Sequence, residues 1–352
     1  MRGGVTSGRS MATPTRRVRL ARWLQAAAVA AAVTAGAASA PAVAQGPAAR
    51  VGDGGEAPLR TMPVQGNVHV ILDAGANITV QVGELGVVMV DTGTAANAER
   101  VLAAVRRLTN RPVRHIINTH AHLDHVGGNE RVGAAGAPIS GRGVAQVGAG
   151  LGARAEIIAT EDTLNWMSAP AGAQAPTPVA AWPTSTFSGE TKDFYYNGEG
   201  IHLRHLPTAH TDGDAVAFFR RSDVIATGDV YSTVSYPVID GQRNGDINGV
   251  IAGLNRLLEL AIAGEKTEGG TMLVPGHGRI SDEADLVEYR DMATIIRDRV
   301  QDMVNRGLTL DQVQAARPTM EYDGLYGSAP GWSTAQFVEA VYRSLRPQRT
   351  TR

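Results

Sequence analysis

Four side chains that can bind a metal ion fall within six residues of the chain. They are His120, His122, Asp124 and His125. Imidazole nitrogen and carboxylate oxygen are ligands that zinc accepts readily. A catalytic zinc site normally uses three protein ligands and keeps one position open, so four groups are too many for one ion. The segment therefore predicts two ions, with its ligands divided between them and further ligands supplied from elsewhere in the chain.

The segment that carries these ligands lies between a predicted strand and a predicted turn. Residues 113–118 contain the apolar, β-branched residues Val113, Ile116 and Ile117, which are typical of a buried strand. Gly127 and Gly128 follow the ligands and mark a turn. The four side chains are therefore expected on a loop at the end of a strand, where the chain can curl around an ion.

Three further candidate ligands follow predicted strands in the second half of the chain. His210 comes after an apolar strand, Asp229 after Val224-Ile225, and His277 after Leu273-Val274. We expect these three side chains to complete a site for two ions. The other four histidines are predicted to be structural or exposed, with His205 at most a support for the site: His69, His115, His202 and His205.

Apolar patterns along the chain predict two similar halves, each built from strands and a helix. The order of these elements predicts that the halves meet in a sandwich, with the metal-binding loops along one edge. Three more helices are expected after the second half. The predicted strands cover about 68–72, 77–82, 86–90, 113–118, 200–206, 215–219, 224–227 and 271–274. The predicted helices cover about 95–108, 249–260, 282–306, 308–316 and 333–345.

The motif HxHxDH, then a lone His, a Gly-Asp and a Gly-His-Gly, resembles the pattern of the metallo-β-lactamase fold superfamily. The match runs from about Val68 to His277. The resemblance implies an α/β fold, a four-layer αβ/βα sandwich of the metallo-β-lactamase type, with a C-terminal helical extension. The domain limits that follow are 61–281 for the catalytic domain and 282–352 for C-terminal helices packed on it.

The resemblance also implies how the ligands are shared and which residues are catalytic. One zinc would be held by His120, His122 and His210, and a second by Asp124, His125 and His277. Asp229 would bridge the two ions, and Asp91 would be a supporting acid. A hydroxide shared by the ions would attack the substrate, and Asp124 would orient it or move a proton. Iron or manganese is also compatible with these ligands.

An exported zinc hydrolase that cleaves an amide, ester or lactone is the function that the resemblance favours, with a β-lactam as the leading substrate. Aspartate at position 229 departs from the β-lactamases best known from resistance, which carry Cys or Ser there. The alternatives are a lactonase or a thioesterase similar to glyoxalase II, and a mononuclear-iron enzyme similar to persulfide dioxygenases. A metal-binding protein without catalysis is a further alternative.

Four aromatic side chains are candidates for the substrate pocket. Tyr231 and Tyr236 follow Asp229 closely and could stabilise an oxyanion, or they could pack in the core. Trp166 and Trp182 could line the pocket, beside the proline-rich residues 169–187. Those residues are either a substrate lid or a surface excursion whose tryptophans pack on the core.

The N-terminus has the pattern of a secretory signal. Residues 1–44 contain a basic stretch, an alanine-rich apolar stretch and the cleavage signal Ala42-Val43-Ala44, and residues 45–60 are expected to be a flexible lead-in. The predicted location is periplasmic or secreted, with no stable membrane anchor after cleavage.

Charge and composition narrow the class of partner. The signal segment holds six of the 33 basic residues and none of the 34 acidic ones, so the mature chain would carry a formal charge of −7. No basic run remains to follow a phosphate backbone, which excludes nucleic acid and leaves a small-molecule substrate. The chain has no cysteine, which excludes a thiolate ligand or nucleophile. No sequence pattern sets an oligomeric state.

Overall fold

The computed structural model of the protein describes residues 57–139, 153–169, 175–264 and 269–346. The predicted signal peptide, residues 1–44, and most of the predicted lead-in lie outside these ranges, so both stay predictions. None of the helices in the described ranges combines the length and the apolar character that a membrane span requires.

The first sheet contains seven strands that lie side by side in chain order. They are β1 (Thr61–Gln65), β2 (Val68–Ile71), β3 (Ile78–Gly83), β4 (Gly86–Val90), β5 (Val113–Ile117), β6 (Glu156–Thr160) and β7 (Ser185–Phe187). The strands β1 to β4 pair antiparallel, and β4 to β7 pair parallel. Because β4 and β5 are parallel, the loops that follow them leave the sheet at the same edge.

The second sheet contains five strands in the order β12-β11-β10-β9-β8. They are β8 (Thr191–Tyr196), β9 (Glu199–His205), β10 (Ala215–Phe219), β11 (Val224–Ser232) and β12 (Met272–His277). The last two strands in the chain, β11 and β12, pair parallel, and the other pairs are antiparallel.

Five helices in the described ranges begin after a residue whose side chain accepts a hydrogen bond from the first turn. Asp282 caps the long helix Glu283–Asn305, and Thr309 and Ser333 form capping boxes for two later helices. The helices of the described ranges are α1 (Ala98–Leu108), α2 (Leu123–Val126), α3 (Asn129–Ala135), α4 (Glu161–Ser168), α5 (Ile247–Leu260), α6 (Glu283–Asn305), α7 (Leu310–Ala315), α8 (Asp323–Tyr326) and α9 (Thr334–Leu345).

The buried strand β4 shows how the layers are arranged. Val88 and Val90 point towards the second sheet, and Val87 and Met89 point towards α1 on the outer face. A strand that is covered on both faces must be apolar throughout, as β4 is. A third core lies between the second sheet and the helices α5, α6 and α9. The predicted four-layer sandwich with C-terminal helices is confirmed, and the domain limits at 61–281 and 282–352 stay predictions.

Several short strands were not predicted from the sequence. Residues 130–160 contain the helix α3 but also the strand β6, and residues 140–152 lie outside the described ranges. β7 has only three residues, and β8 alternates between exposed and half-buried side chains. Such strands form because a neighbouring strand supplies their hydrogen bonds, which a weak apolar pattern does not reveal.

A buried carboxylate joins the two sheets. Glu199, 3% exposed at the start of β9, accepts a hydrogen bond from Gln81 Nε2 of β3 at 2.6 Å. It also accepts from the main-chain nitrogens of Arg221 and Ser222, both at 3.0 Å, and from the Ser222 hydroxyl at 2.9 Å. Four donors therefore depend on this one side chain.

Replacing Glu199 with alanine should lower the free energy of unfolding by about 3 kcal/mol, because buried donors would lose their acceptor. Urea denaturation followed by circular dichroism measures this change. Glu190→Ala is the control, since the Glu190 side chain is 87% exposed and should alter stability by less than about 0.5 kcal/mol. Equal effects of the two substitutions would contradict the role of Glu199.

Candidate metal centre

The seven predicted ligands come together at one edge of the two sheets. Four of them follow β5, as the sequence predicts, and the others lie after β9, within β11 and at the end of β12. All seven side chains are buried, with no more than 8% exposure: His120, His122, Asp124, His125, His210, Asp229 and His277.

These ligands form two groups of the predicted composition. His120, His122, His210 and Asp229 make the first group, and Asp124, His125 and His277 make the second. In each group, one ligand atom from every residue lies within 4.8 Å of the others. The other four histidines belong to neither group. We call these two sets the first group and the second group below.

Asp229 faces both groups with different oxygen atoms. Its Oδ1 lies 3.3 Å from His125 Nε2 and 3.6 Å from His277 Nε2, in the second group. Its Oδ2 lies 3.8 Å from His120 Nε2 and 3.9 Å from His210 Nε2, in the first group. One carboxylate is therefore placed to bridge two ions.

The unpaired polar atoms at the centre test whether metal ions fit. Both carboxylate oxygens of Asp124 and of Asp229, and the Nε2 atoms of His125 and His277, are buried. None of them makes a hydrogen bond of acceptable geometry within the described part of the chain. Buried polar atoms without partners are costly, and divalent cations would satisfy all of them. The residues therefore fit a centre with two metal ions.

In each histidine of the HxHxDH motif, the ring nitrogen that faces away from the two groups, here called the outer nitrogen, has a specific hydrogen-bond partner. His120 Nδ1 lies 3.0 Å from the Thr119 hydroxyl, and His125 Nδ1 lies 2.8 Å from Asp91 Oδ2. His122 is turned the other way, with Nε2 lying 3.0 Å from Asp240 Oδ2. Such partners orient the rings and set which nitrogen is free for a metal.

Asp91, the predicted supporting acid, lies in the turn after β4. Its backbone conformation is unusual. Its φ is 65°, in the left-handed region that non-glycine residues rarely adopt. Its carboxylate also accepts from the main-chain nitrogen of Thr119 at 2.9 Å and from the Thr119 hydroxyl at 2.8 Å. These bonds tie the ends of β4 and β5 together and hold the ligand loop.

The electrostatic environment differs between the two groups. Burial lowers the pKa of His120 well below its usual value and that of His210 to about 4, which keeps both imidazoles neutral. Burial also opposes protonation of His277, but Asp229 and Asp124 outweigh it and raise the pKa to about 9. The second group therefore attracts positive charge, which a divalent cation would supply.

Comparison with known proteins identifies the family. The model of the metallo-beta-lactamase superfamily matches residues 72–287, which is more than half of the chain. The chain belongs to the metallo-β-lactamase superfamily. The matched region contains all seven ligands and both sheets except the strands β1 and β2 at its N-terminal side.

Individual relatives are similar over parts of their length. The alpha subunit of 2,4-dinitroanisole O-demethylase from Nocardioides sp. (strain JS1661) is 29% identical over 189 residues, which is 51% of this chain and 50% of that subunit. The sec-alkylsulfatase Pisa1 from Pseudomonas sp. has a TM-score of 0.60 at 19% identity, covering 81% of this chain and 50% of the sulfatase. This chain thus spans about half the length of both relatives, and the sulfatase shows a shared fold.

Tyr231 and Tyr236, which the sequence left as either oxyanion donors or core residues, lie in the core of this metallo-β-lactamase fold. The Tyr236 ring stacks on Phe337 at 4.6 Å, and its hydroxyl donates to Asp323 Oδ1 at 2.9 Å. The Tyr231 ring meets the edge of Tyr289 at 5.1 Å. Both tyrosines therefore contact the C-terminal helices, and these contacts support the packing alternative.

Trp166 and Trp182 are both half-buried. Trp166 Nε1 donates to Asp212 Oδ1 at 2.7 Å, and its ring lies 5.5 Å from the Arg243 guanidinium. Trp182 Nε1 donates to the main-chain oxygen of Thr177 at 3.0 Å, and its ring packs near Met167. A role in substrate binding stays a prediction for both, as does a lid at residues 169–187.

A cavity of about 560 Å³ opens beside His277 and was not anticipated from the sequence. Its apolar lining includes Met62, Leu72 and Val234, which come from β1 and from loops after β2 and β11. Arg60 also lines it and forms an ion pair with Asp73 at 2.6 Å. The cavity therefore adjoins the second group through His277.

Proposed function

We propose that this protein is a hydrolase that uses two metal ions, with zinc as the metal that its donor set favours. The observation that carries the proposal is the carboxylate of Asp229, which presents one oxygen atom to each group of ligands. When bound, the two ions would lower the pKa of water and polarise the bond that breaks.

The side chains of the centre would have separate tasks in the reaction. Because their pKa values are lowered, the rings of His120 and His210 are neutral, and each keeps a lone pair free for a metal ion in the first group. Both oxygen atoms of Asp124 are buried and make no hydrogen bond of good geometry to the described residues, so Asp124 can hold or move a proton at the nucleophile. The cavity beside His277 would bind the remainder of the substrate, with its apolar wall against an apolar substituent.

The substrate class is an amide, ester or lactone, and a β-lactam remains the first compound to try. The relatives suggest two further classes of substrate to test, because one is named an O-demethylase and the other a sec-alkylsulfatase. A mononuclear-iron oxygenase is less well supported, since two histidines and one aspartate would leave four of the seven buried ligands without a role. We further propose that the protein acts in the periplasm or outside the cell.

Metal analysis together with a panel of substrates tests this function. The protein is loaded with zinc and assayed, with and without a chelator, on a chromogenic cephalosporin, a nitrophenyl ester, a lactone, a secondary alkyl sulfate and 2,4-dinitroanisole. We expect two ions per chain and chelator-sensitive hydrolysis of at least one compound, with kcat/KM of about 10⁴ M⁻¹s⁻¹ or more. One iron per chain with consumption of oxygen would overturn the proposal, as would the absence of bound metal.

A further inference from the structure

The first group depends on a short segment that the sequence did not reveal. We call Val238–Arg243 the orienting segment. The main-chain oxygen of Val238 accepts from His210 Nδ1 at 2.9 Å, and the main-chain nitrogen of Asp240 donates to the His210 oxygen at 3.0 Å. The segment therefore fixes both the ring and the backbone of one ligand.

A close approach of the backbone keeps the orienting segment in place. At Gly245, a β-carbon would lie 2.2 Å from the main-chain oxygen of His210 and 2.9 Å from the main-chain nitrogen of Asp240. Any other residue would push the segment away from its ligand, so glycine is required here for lack of space.

The same segment also determines which nitrogen His122 presents to a metal. His122 Nδ1 faces the first group, 3.1 Å from His120 Nε2 and 3.0 Å from His210 Nε2. A neutral imidazole that binds a metal through Nδ1 carries its hydrogen on Nε2. Asp240 Oδ2, at 3.0 Å, is placed to accept that hydrogen.

The carboxylate of Asp240 is 2% exposed and uses both of its oxygen atoms. Oδ1 accepts from the main-chain nitrogens of Gln242 at 3.0 Å and Arg243 at 3.3 Å. Oδ2 accepts from Arg243 Nη1 at 2.6 Å in addition to His122. Both sides of the carboxylate thus face donors, and no neutral amide of the same size could satisfy both sides.

The guanidinium of Arg243 compensates the buried charge of Asp240. It lies 3.0 Å from His122 Nε2 as well, but with hydrogen on that nitrogen the two groups are both donors and share Asp240 Oδ2 as acceptor. The ring of Trp166 lies 5.5 Å from the guanidinium on its other side. The Trp166 ring therefore covers part of the guanidinium, whose side chain is 27% exposed, while Gly241 and Gln242 of the orienting segment are exposed.

We propose that Asp240 is a positioning residue for His122, with Arg243 as its charge partner, and that this contact sets the metal affinity of the first group separately from the second. The proposal rests on the two-ion function proposed above. The second group has a partner of the same kind in another place, because His125 is held by Asp91 at the end of β4. Each group thus has one histidine whose outer nitrogen faces a carboxylate.

Titration of the metal-free protein with zinc, in competition with a chelator, tests this proposal. In Asp240→Ala, the zinc affinity of one of the two sites should fall by about 10- to 100-fold, and the zinc affinity of the other should change by less than about twofold. Removing His277 leaves only the first group complete. In a chain carrying His277→Ala, Asp240→Ala should therefore weaken the single remaining event by the same factor.

Asp193→Asn is the matched control. Asp193 Oδ1 lies 2.8 Å from His202 Nδ1, so this change also removes a carboxylate from an imidazole, but outside the centre. It should leave both binding events unchanged. Circular dichroism and the melting temperature of the metal-free variants separate positioning from folding.

Three results would overturn the proposal. Unchanged affinities in Asp240→Ala would show that His122 needs no partner. Equal weakening of both events, together with a lower melting temperature of the metal-free protein, would show a structural role instead. If the unmodified protein binds no ion, the proposed function fails and this inference fails with it, whereas two bound ions with no effect of Asp240→Ala leave the function standing.

Discussion

Replacing Asp229 with asparagine should reduce turnover by about a thousandfold, which corresponds to about 4 kcal/mol of lost transition-state stabilisation. The carboxylate lies within 3.9 Å of four histidine nitrogens, two from each group. Asparagine keeps one oxygen atom, but its amide nitrogen cannot bind a cation. The variant should therefore hold no more than one ion tightly, where the unmodified protein holds two.

Metal analysis after dialysis and steady-state kinetics in excess zinc measure the two effects of Asp229→Asn. The control is Asp193→Asn, which removes a negative charge from the exposed strand β8 and should leave turnover and stoichiometry unchanged. Two tightly bound ions and ordinary turnover in Asp229→Asn would show that this residue does not bridge.

Replacing Asp124 with asparagine should reduce kcat by about 10²- to 10⁴-fold while the fold stays intact. Asp124 Oδ2 lies 3.2 Å from His277 Nε2, and both oxygen atoms lack a hydrogen bond of good geometry within the described residues. Asparagine keeps an oxygen atom for the second group, but it cannot accept a proton at neutral pH. Turnover should therefore fall much more than metal occupancy does.

Measuring kcat and metal content in the same variants distinguishes the roles of Asp124 and Asp229. Asp124→Asn should keep KM within about threefold and retain most of its metal in excess zinc, whereas Asp229→Asn loses an ion. Near-UV circular dichroism checks that the core is unchanged. Normal kcat in Asp124→Asn would remove its role in proton transfer and leave it as a ligand only.

The candidate metal ligands could be nominated from the sequence because each of them has a local signal. His120, His122, Asp124 and His125 lie together in one motif, and the others follow apolar strands. Since strand ends gather at one edge of a sheet, residue type and position in the chain are enough to nominate the site. The structure brings all seven side chains into two groups, as the resemblance implied.

The supporting contacts could not be predicted because they join residues that are far apart in the chain. Asp240 lies 118 residues after His122, and nothing in the sequence around either residue pairs them. For the same reason, the sequence left open whether Tyr231 and Tyr236 face the site or pack in the core. Which face of β11 and its following loop points to the C-terminal helices depends on how those helices pack, as the contact of Tyr236 with Phe337 shows.

The sequence by itself determined the candidate ligand set and the order of most strands and helices. Those features depend on residue type and on apolar patterns over a few neighbouring residues. Only the tertiary structure decided that Asp229 presents one oxygen to each group, that Asp240 turns His122 towards the centre, and that a cavity opens beside His277. These features depend on the packing of two sheets against each other, which brings distant residues into contact.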